Sequence, residues 1–94
     1  MKIIWTEPAA NVLEQIQDYI AQDNPAAAYQ LAIIIETVTQ NLANHPKMGH
    51  VGRVTNTYEL IIPDTPFIVV YKIKDKEIHV LSVFHTSRKW PEEF

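Results

Sequence analysis

The stretch FIVVYKI, residues 67–73, decides the fold. Its first five residues are apolar or aromatic, and three of them are β-branched, which favours a strand. A strand without polar alternation is typical of the interior of a sheet, where both faces are covered. The runs TYELII (57–62) and EIHVLSVF (77–84) flank it and alternate between apolar and polar residues. The pattern predicts a three-stranded antiparallel meander in which residues 67–74 form the inner strand.

The N-terminal segment predicts a strand followed by a helix. KIIWT, residues 2–6, is short and β-rich. Thr6 suits a helix N-cap, and Pro8 suits the first helical turn. Apolar residues then recur at helical spacing as far as about Gln22, namely Ala9, Val12, Leu13, Ile16, Tyr19 and Ile20. We expect Tyr19 to pack within the helical layer.

A second helix follows after a short joint. Asn24 is a suitable N-cap and Pro25 a suitable first residue, and the helix is predicted to run to about Asn44. Its buried stripe is expected to contain Leu31, Ile34 or Ile35, Val38 and Leu42. Tyr29 is also expected to pack in this helical layer. The short joint predicts an antiparallel hairpin of two helices.

The predicted fold class is therefore α+β, with the element order β-α-α-β-β-β in a single domain of residues 1–94. The helical hairpin is expected to cover one face of a mostly antiparallel sheet. NHPKMGHVGRVTN, residues 44–56, contains both glycines and lacks periodicity, so it is predicted to be a loop.

Composition excludes several classes of protein. The chain has 94 residues, 47% hydrophobic and 20% charged, with a net charge of −3 and no cysteine. The absence of cysteine excludes disulfides and fits a reducing cytoplasm. No apolar run approaches the ~20 residues of a membrane span, and the N-terminus has no secretory h-region. Residues 45–94 contain seven of the eight Lys and Arg residues and all four histidines, so groups that could meet an anion concentrate there.

The sequence resembles the RelE/ParE superfamily of toxins from type II toxin–antitoxin systems. The matching features are WTEPAANVLEQIQDYIAQDNPAAA, the joint NHPKMGHVGR and the C-terminal run YELIIPDTPFIVVYKIKDKEIHVLSVFHTSRKWP. RelE-like members cut mRNA on the ribosome, whereas ParE-like members poison DNA gyrase. The stretches YIAQDNPAAA and VFHTSR are more similar to the ParE branch.

The resemblance implies the partners of the protein. A cognate antitoxin would bind the toxin, and the target would be DNA gyrase or the ribosome with its mRNA. Operator DNA would be contacted only through the antitoxin, and no membrane, metal or other cofactor is implied. A degenerate toxin that acts only as antitoxin partner and co-repressor is a further alternative.

The RNase alternative would need catalytic residues, and the resemblance suggests His85, Arg53 and Arg88 for these roles. Cleavage of RNA requires a base, an acid and a cation that stabilises the phosphorane. His85 could instead cap its strand, and Arg53 could pair with Glu59 or with an antitoxin carboxylate. RelE-like nucleases place an arginine where this chain has Ile68, and ribosome-directed toxins are usually basic. Both departures favour the gyrase branch.

A partner surface is predicted at the end of the last strand. Antitoxins of this superfamily bind through an amphipathic helix and an acidic extended tail. We expect Arg53, Arg88, Lys89 and Trp90 to contribute to this surface. His45 and His50 lie in the loop without further ligands nearby in sequence, so no metal site is predicted. Trp5 is expected to pack against the core or its edge.

Overall fold

The structure is a computed structural model that describes residues 1–87. Its elements, in chain order, are β1 (Lys2–Trp5), α1 (Glu7–Ala21), α2 (Pro25–Gln40), a 3₁₀ turn η1 (Asn41–Ala43), β2 (His50–Val51), β3 (Tyr58–Ile61), β4 (Phe67–Lys74) and β5 (Glu77–His85). The predicted α+β class and the strand, helical hairpin and meander order are confirmed.

The strands form one sheet in the order β1-β5-β4-β3-β2. The meander is antiparallel, whereas β1 runs parallel to β5, so the sheet is mixed. Two expectations need correction. The segment predicted as loop contains β2, a fifth strand whose two residues are too few to show periodicity. The second helix ends at Gln40 and continues only as the 3₁₀ turn, rather than as α-helix to Asn44.

The inner strand β4 is buried on both faces. All five residues from Phe67 to Tyr71 are buried, and β4 lies between β3 and β5, as the sequence predicts. Val69 pairs with Leu60 and with Val83, and these three residues belong to the hydrophobic core beneath the helices. The helical hairpin therefore covers the sheet face that carries Val69.

Side-chain caps fix where the helices begin. The Thr6 hydroxyl accepts a hydrogen bond from the backbone N–H of Ala9 and donates one of 2.7 Å to the carbonyl of Val80. Thr6 thereby starts α1 and ties it to β5. Asn24 caps α2 through its side-chain oxygen, which accepts from the N–H of Ala27. Both predicted N-caps are confirmed.

The helical layer settles one open choice and departs from expectation at two residues. Ile35 is fully buried, whereas Ile34 is exposed, so Ile35 supplies the core residue of that pair. Tyr19 and Tyr29 are 75% and 67% exposed, and the prediction that they pack in the helical layer is wrong. Trp5 is half-buried against the core, as expected. Within residues 1–87, neither helix has the length and apolar character required to cross a membrane.

Substitution of Val69 by Asp tests the central position of β4. Val69 is fully buried in the core, so an unpaired carboxylate there should lower the free energy of unfolding by several kcal/mol. Ile61→Asp is the matched control, because Ile61 is 57% exposed on the neighbouring strand β3. Urea denaturation followed by circular dichroism measures both effects. Equal effects of the two substitutions would contradict the burial of Val69 in the core beneath the helices.

Candidate functional sites on the two faces of the sheet

Strand register assigns the candidate residues to opposite faces of the sheet. His85 pairs with Phe67, whereas Glu59 pairs with Val70. Directly paired residues share a face, and successive residues of a strand alternate between faces. Phe67 and Val70 are three positions apart, so they lie on opposite faces. His85 is therefore on the helix-covered face, and Glu59 is on the other.

A groove of about 650 Å³ opens on the helix-covered face. It lies between the two helices and the turn that precedes β4, and its lining is largely apolar. The lining residues are Val12, Gln15, Ile16, Tyr19, Ile20, Ala27, Leu31, Asp64, Thr65, Pro66, Phe67 and His85. We call this feature the hairpin groove. An apolar groove beside an exposed tyrosine is suited to the apolar face of a partner helix.

His85 is held in one orientation within the hairpin groove. Its Nδ1 accepts a hydrogen bond of 3.2 Å from the backbone N–H of Ser87 and lies 2.7 Å from the Ser87 hydroxyl. Its ring packs edge-on against Phe67 with 5.3 Å between ring centroids. Because Nδ1 accepts from a backbone N–H, the neutral ring carries its proton on Nε2. His85 can therefore present one donor to a ligand.

On the opposite face, a buried carboxylate fixes the loop before β3. The Glu59 side chain is 3% exposed. It accepts hydrogen bonds from the backbone N–H of Arg53 at 2.8 Å and from the Arg53 guanidinium at 3.2 and 3.3 Å. The His50 Nε2 lies 3.5 Å from the same carboxylate. We call these three residues the Glu59 cluster.

The environment of Glu59 lowers the pKa of its carboxyl group. Burial alone would raise this pKa, since it disfavours the charged form. The hydrogen bonds from the Arg53 backbone and guanidinium, together with the charges of Arg53 and His50, outweigh burial and bring the pKa below its usual value. The carboxylate is therefore ionised at neutral pH, as the pair with Arg53 requires.

Tyr71 anchors the first part of the same loop. Its hydroxyl donates to the carbonyl of Pro46 at 2.8 Å and accepts from the N–H of Gly49 at 3.0 Å. A Cβ atom at Gly49 would lie 2.8 Å from this hydroxyl and 2.8 Å from the Glu59 carbonyl, so only glycine fits without displacement. Burial raises the pKa of Tyr71, although the Gly49 N–H acts in the opposite sense. Tyr71 thus remains a neutral donor.

The structure brings some predicted site residues together and separates others. Arg53 contacts Glu59, which is one of the two pairings expected for it. His85 lies on the other face, and Ile68 is buried. Arg88, Lys89 and Trp90 lie outside the described residues. Within residues 1–87, no group of His, Cys, Asp or Glu is arranged to hold a metal ion.

Sequence reasoning missed the hairpin groove and the anchoring roles of Glu59 and Tyr71. The signal for Glu59 was present, because it is the only acidic residue in the run TYELII. A single acid on an alternating strand either faces solvent or requires a buried partner. The choice between these outcomes depends on register, which the sequence alone leaves open.

Comparisons with known proteins agree with this fold. Residues 3–90 match the family described as ParE toxin of type II toxin-antitoxin system, parDE, and the chain belongs to this family. The protein Y4kP of Sinorhizobium fredii is 36% identical over 91 residues, covering 97% of this chain and 94% of its relative. Toxin RelE2 of Caulobacter vibrioides is 30% identical over 87 residues, covering 93% and 97%.

Solved structures show the same architecture. A chain of the chromosomal ParDE toxin–antitoxin system from P. aeruginosa superposes with a TM-score of 0.82 at 25% identity, covering 90% of this chain and 95% of that one. A chain of the intact E. coli RelBE toxin–antitoxin complex superposes with a TM-score of 0.63 at 14% identity, covering 93% and 98%. The second likeness concerns the fold alone.

Glu59→Gln tests the electrostatic role of the Glu59 cluster. A carboxyl group with a lowered folded-state pKa adds stability above its unfolded pKa, and this stability is lost as pH falls through the folded pKa. The substitution should cost about 1–3 kcal/mol at neutral pH and should remove part of the acid sensitivity of the protein. Urea denaturation at neutral and acidic pH measures both effects.

Glu36→Gln, an exposed change on α2, serves as the control and should alter neither stability nor acid sensitivity appreciably. The proposed role of the carboxylate would be wrong if Glu59→Gln lost stability on acidification as steeply as the parent protein.

Proposed function

We propose that this toxin arrests growth by inhibiting DNA gyrase when it is released from a cognate antitoxin. The observation that carries the proposal is the separation of His85 from Arg53 on opposite faces of the sheet. A nuclease would need these two groups beside the same phosphate. Membership of the ParE family supports the same target.

The chemistry around Arg53 also supports a target other than RNA. Its guanidinium contacts the buried carboxylate of Glu59, which offsets its positive charge. Position 68 holds a buried isoleucine on the face that carries Glu59, where RelE-like nucleases carry a cation. The net charge of −3 gives no general attraction to ribosomal RNA.

An antitoxin helix in the hairpin groove would account for neutralisation of the toxin. The groove has an apolar lining and the exposed Tyr19 beside it, which suits an amphipathic helix. We propose that an acidic tail of the antitoxin binds a charged and aromatic part of the partner surface, made up of Arg53, Arg88, Lys89 and Trp90. The likeness to a chain of the P. aeruginosa ParDE toxin–antitoxin system supports an antitoxin partner.

The second candidate function is a ribosome-dependent mRNA endonuclease that uses His85 with Arg53 and Arg88. The observation that favours it is the fixed orientation of His85, whose neutral ring carries a donor on Nε2. A donor of this kind could protonate a leaving oxygen. The relative Toxin RelE2 adds support from sequence.

A paired assay with the purified toxin separates these functions. In the first reaction, gyrase and supercoiled plasmid are incubated with the toxin, and trapped linear DNA is measured after protein digestion. In the second, an mRNA is translated in a cell extract with the toxin, and new 5′ ends are mapped. We expect trapped plasmid and intact mRNA. Cleaved mRNA without trapped plasmid would contradict the proposal.

His85→Gln tests for proton transfer in cells. If the toxin acts on gyrase, this substitution should leave most of the growth arrest, because no proton transfer depends on the imidazole. His79→Gln is the matched control on the same strand and should behave in the same way. Complete loss of arrest in His85→Gln alone, at an unchanged level of folded protein, would favour the endonuclease instead.

Tyr19→Glu tests the antitoxin site. Tyr19 lines the hairpin groove and is 75% exposed, so a charge there should disturb a bound helix without unfolding the toxin. We expect antitoxin affinity to fall by about tenfold or more, a loss of ~1.4 kcal/mol or greater. Tyr29→Glu adds the same charge at a 67% exposed tyrosine outside the groove lining and should bind normally. Calorimetry that showed equal affinities for both variants would place the antitoxin elsewhere.

A further inference from the structure

The last three residues of β4 have an open strand edge. The β3–β4 pairing ends at Tyr58 opposite Tyr71, so within residues 1–87 the segment 72–74 pairs only with β5. The chain before β3 turns away from this edge, because Thr57 bonds back to the carbonyl of Val54 through its N–H at 3.2 Å and its hydroxyl at 2.6 Å. We call the segment 72–74 and the groove beside it the β4 edge.

Ile73 directs its backbone N–H and carbonyl toward this open side. The two-residue turn that joins β4 to β5 has positive φ at both positions, 53° and 61°, and Lys74 lies opposite Glu77 on either side of it. Residues that flank such a turn exchange hydrogen bonds, and bonded pairs alternate with non-bonded pairs along an antiparallel ladder. Ile73 therefore belongs to a non-bonded pair with β5, and its backbone groups can bond to an added strand.

The groove at the β4 edge is apolar on one face of the sheet and cationic on the other. It has a volume of about 670 Å³ and is lined by Lys47, Val51, Asn56, Thr57, Tyr58, Lys72, Ile73 and Lys74. Ile73 shares the helix-covered face with Tyr58 and Val51, by the register of the strands. Lys72 and Lys74 alternate with Ile73 and lie on the opposite face. The side chains of an extended peptide also alternate between faces, so one strand can meet both surfaces.

The lysines of the β4 edge lack acidic partners in the part of the chain that the structure describes. Lys47, Lys72 and Lys74 form no ion pair there, and no carboxylate lines the groove. Glu77, opposite Lys74, lies 3.3 Å from the imidazole of His79 instead. Three cations are therefore available to an anionic partner in a protein whose net charge is −3.

The same lysines disfavour a second copy of this chain as the partner. If two β4 edges paired antiparallel about Ile73, Lys72 of each copy would lie directly opposite Lys74 of the other. Like charges in a cross-strand pair are destabilising, and lysines on open edges commonly protect against self-association. A strand of opposite charge would meet attraction at the same two positions.

We propose that the β4 edge binds an extended segment of a partner protein in which acidic residues alternate with apolar ones. The segment would add to the sheet as a strand antiparallel to β4 and in line with β3. An apolar residue opposite Ile73 would exchange two backbone hydrogen bonds with it and face Tyr58 and Val51. The acidic neighbours of this residue would lie beside Lys72 and Lys74. The site is at the other end of β4 from the hairpin groove, and it does not rest on the proposed function.

Titration of the isotopically labelled toxin with a six-residue peptide of alternating glutamate and valine tests this site. Amide chemical shifts measure the affinity, and we expect the largest changes at residues 72–74 with slower amide hydrogen exchange at Ile73. A peptide of three glutamates followed by three valines should bind about fivefold more weakly, because it would place both residue types on both faces. Equal affinity of the two peptides, or no binding of the alternating one, would overturn the proposal.

N-methylated versions of the alternating peptide test backbone pairing. In the antiparallel arrangement the valine N–H groups point toward β4 and the glutamate N–H groups point away. Methylation of the valine nitrogens should weaken binding by about tenfold and remove the protection of the Ile73 amide, whereas methylation of the glutamate nitrogens should change neither appreciably. Equal effects of the two modifications would contradict strand addition.

Lysine variants test the charges. Lys72→Gln combined with Lys74→Gln should weaken the alternating peptide about fivefold at low salt, and less as salt screens the charges. The matched control, Lys2→Gln combined with Lys76→Asn, removes the same charge outside the groove lining and should bind normally. Asn suits position 76, where the backbone φ is 61°. Equal losses in both variants would show general electrostatics and overturn the proposal, as would tighter binding of an oligodeoxythymidine of equal charge through the same lysines.

Discussion

Burial of β4 on both faces of the sheet is the constraint on which the rest of the structure depends. Val69 and Val70 are both fully buried although their side chains point to opposite faces. A shift of one residue in the register of β4 would move Phe67 and Tyr71 away from the helices, and the core would be lost. The register is therefore fixed, and with it the face on which each residue of β3 and β5 lies.

The division of chemistry between the two faces follows from this register. Phe67 holds His85 beside the hairpin groove, and Val70 lies opposite Glu59. Glu59 and Tyr71 hold the loop before β3 from opposite faces of the sheet. Glu59 does so by accepting a hydrogen bond from Arg53, and Tyr71 by accepting one from Gly49. The carboxylate of Glu59 and the hydroxyl of Tyr71 thus tie this loop to strands β3 and β4. A toxin built in this way presents surfaces for binding, and the two groups suited to RNA cleavage stand apart.

The sequence allowed prediction of the long elements, but the short or ambiguous ones depended on tertiary contacts. The apolar run of β4 and the caps Thr6 and Asn24 each carry a strong local signal, and the structure confirms them. β2 has two residues and no period to detect. Ile34 and Ile35 are adjacent and equally apolar, so only packing against the sheet distinguishes them. Tyr19 recurs at the helical spacing of the buried residues, which predicted burial, yet it lines the hairpin groove and is 75% exposed.

The site was predictable to a smaller extent. A pair between Arg53 and Glu59 could be expected from their charges and proximity in sequence, and the structure contains it. The separation of Arg53 from His85 could not be expected, because their faces depend on the pairing of three strands.

The most direct test of the separation is a nuclear Overhauser spectrum of the isotopically labelled toxin, recorded from the ring protons of His85. We expect cross-peaks to the ring of Phe67, since the two centroids are 5.3 Å apart, and to side chains that line the hairpin groove. We expect none to the side chains of Arg53 or Glu59. Cross-peaks from His85 to either of these residues would place the imidazole and the guanidinium on one surface and contradict the account.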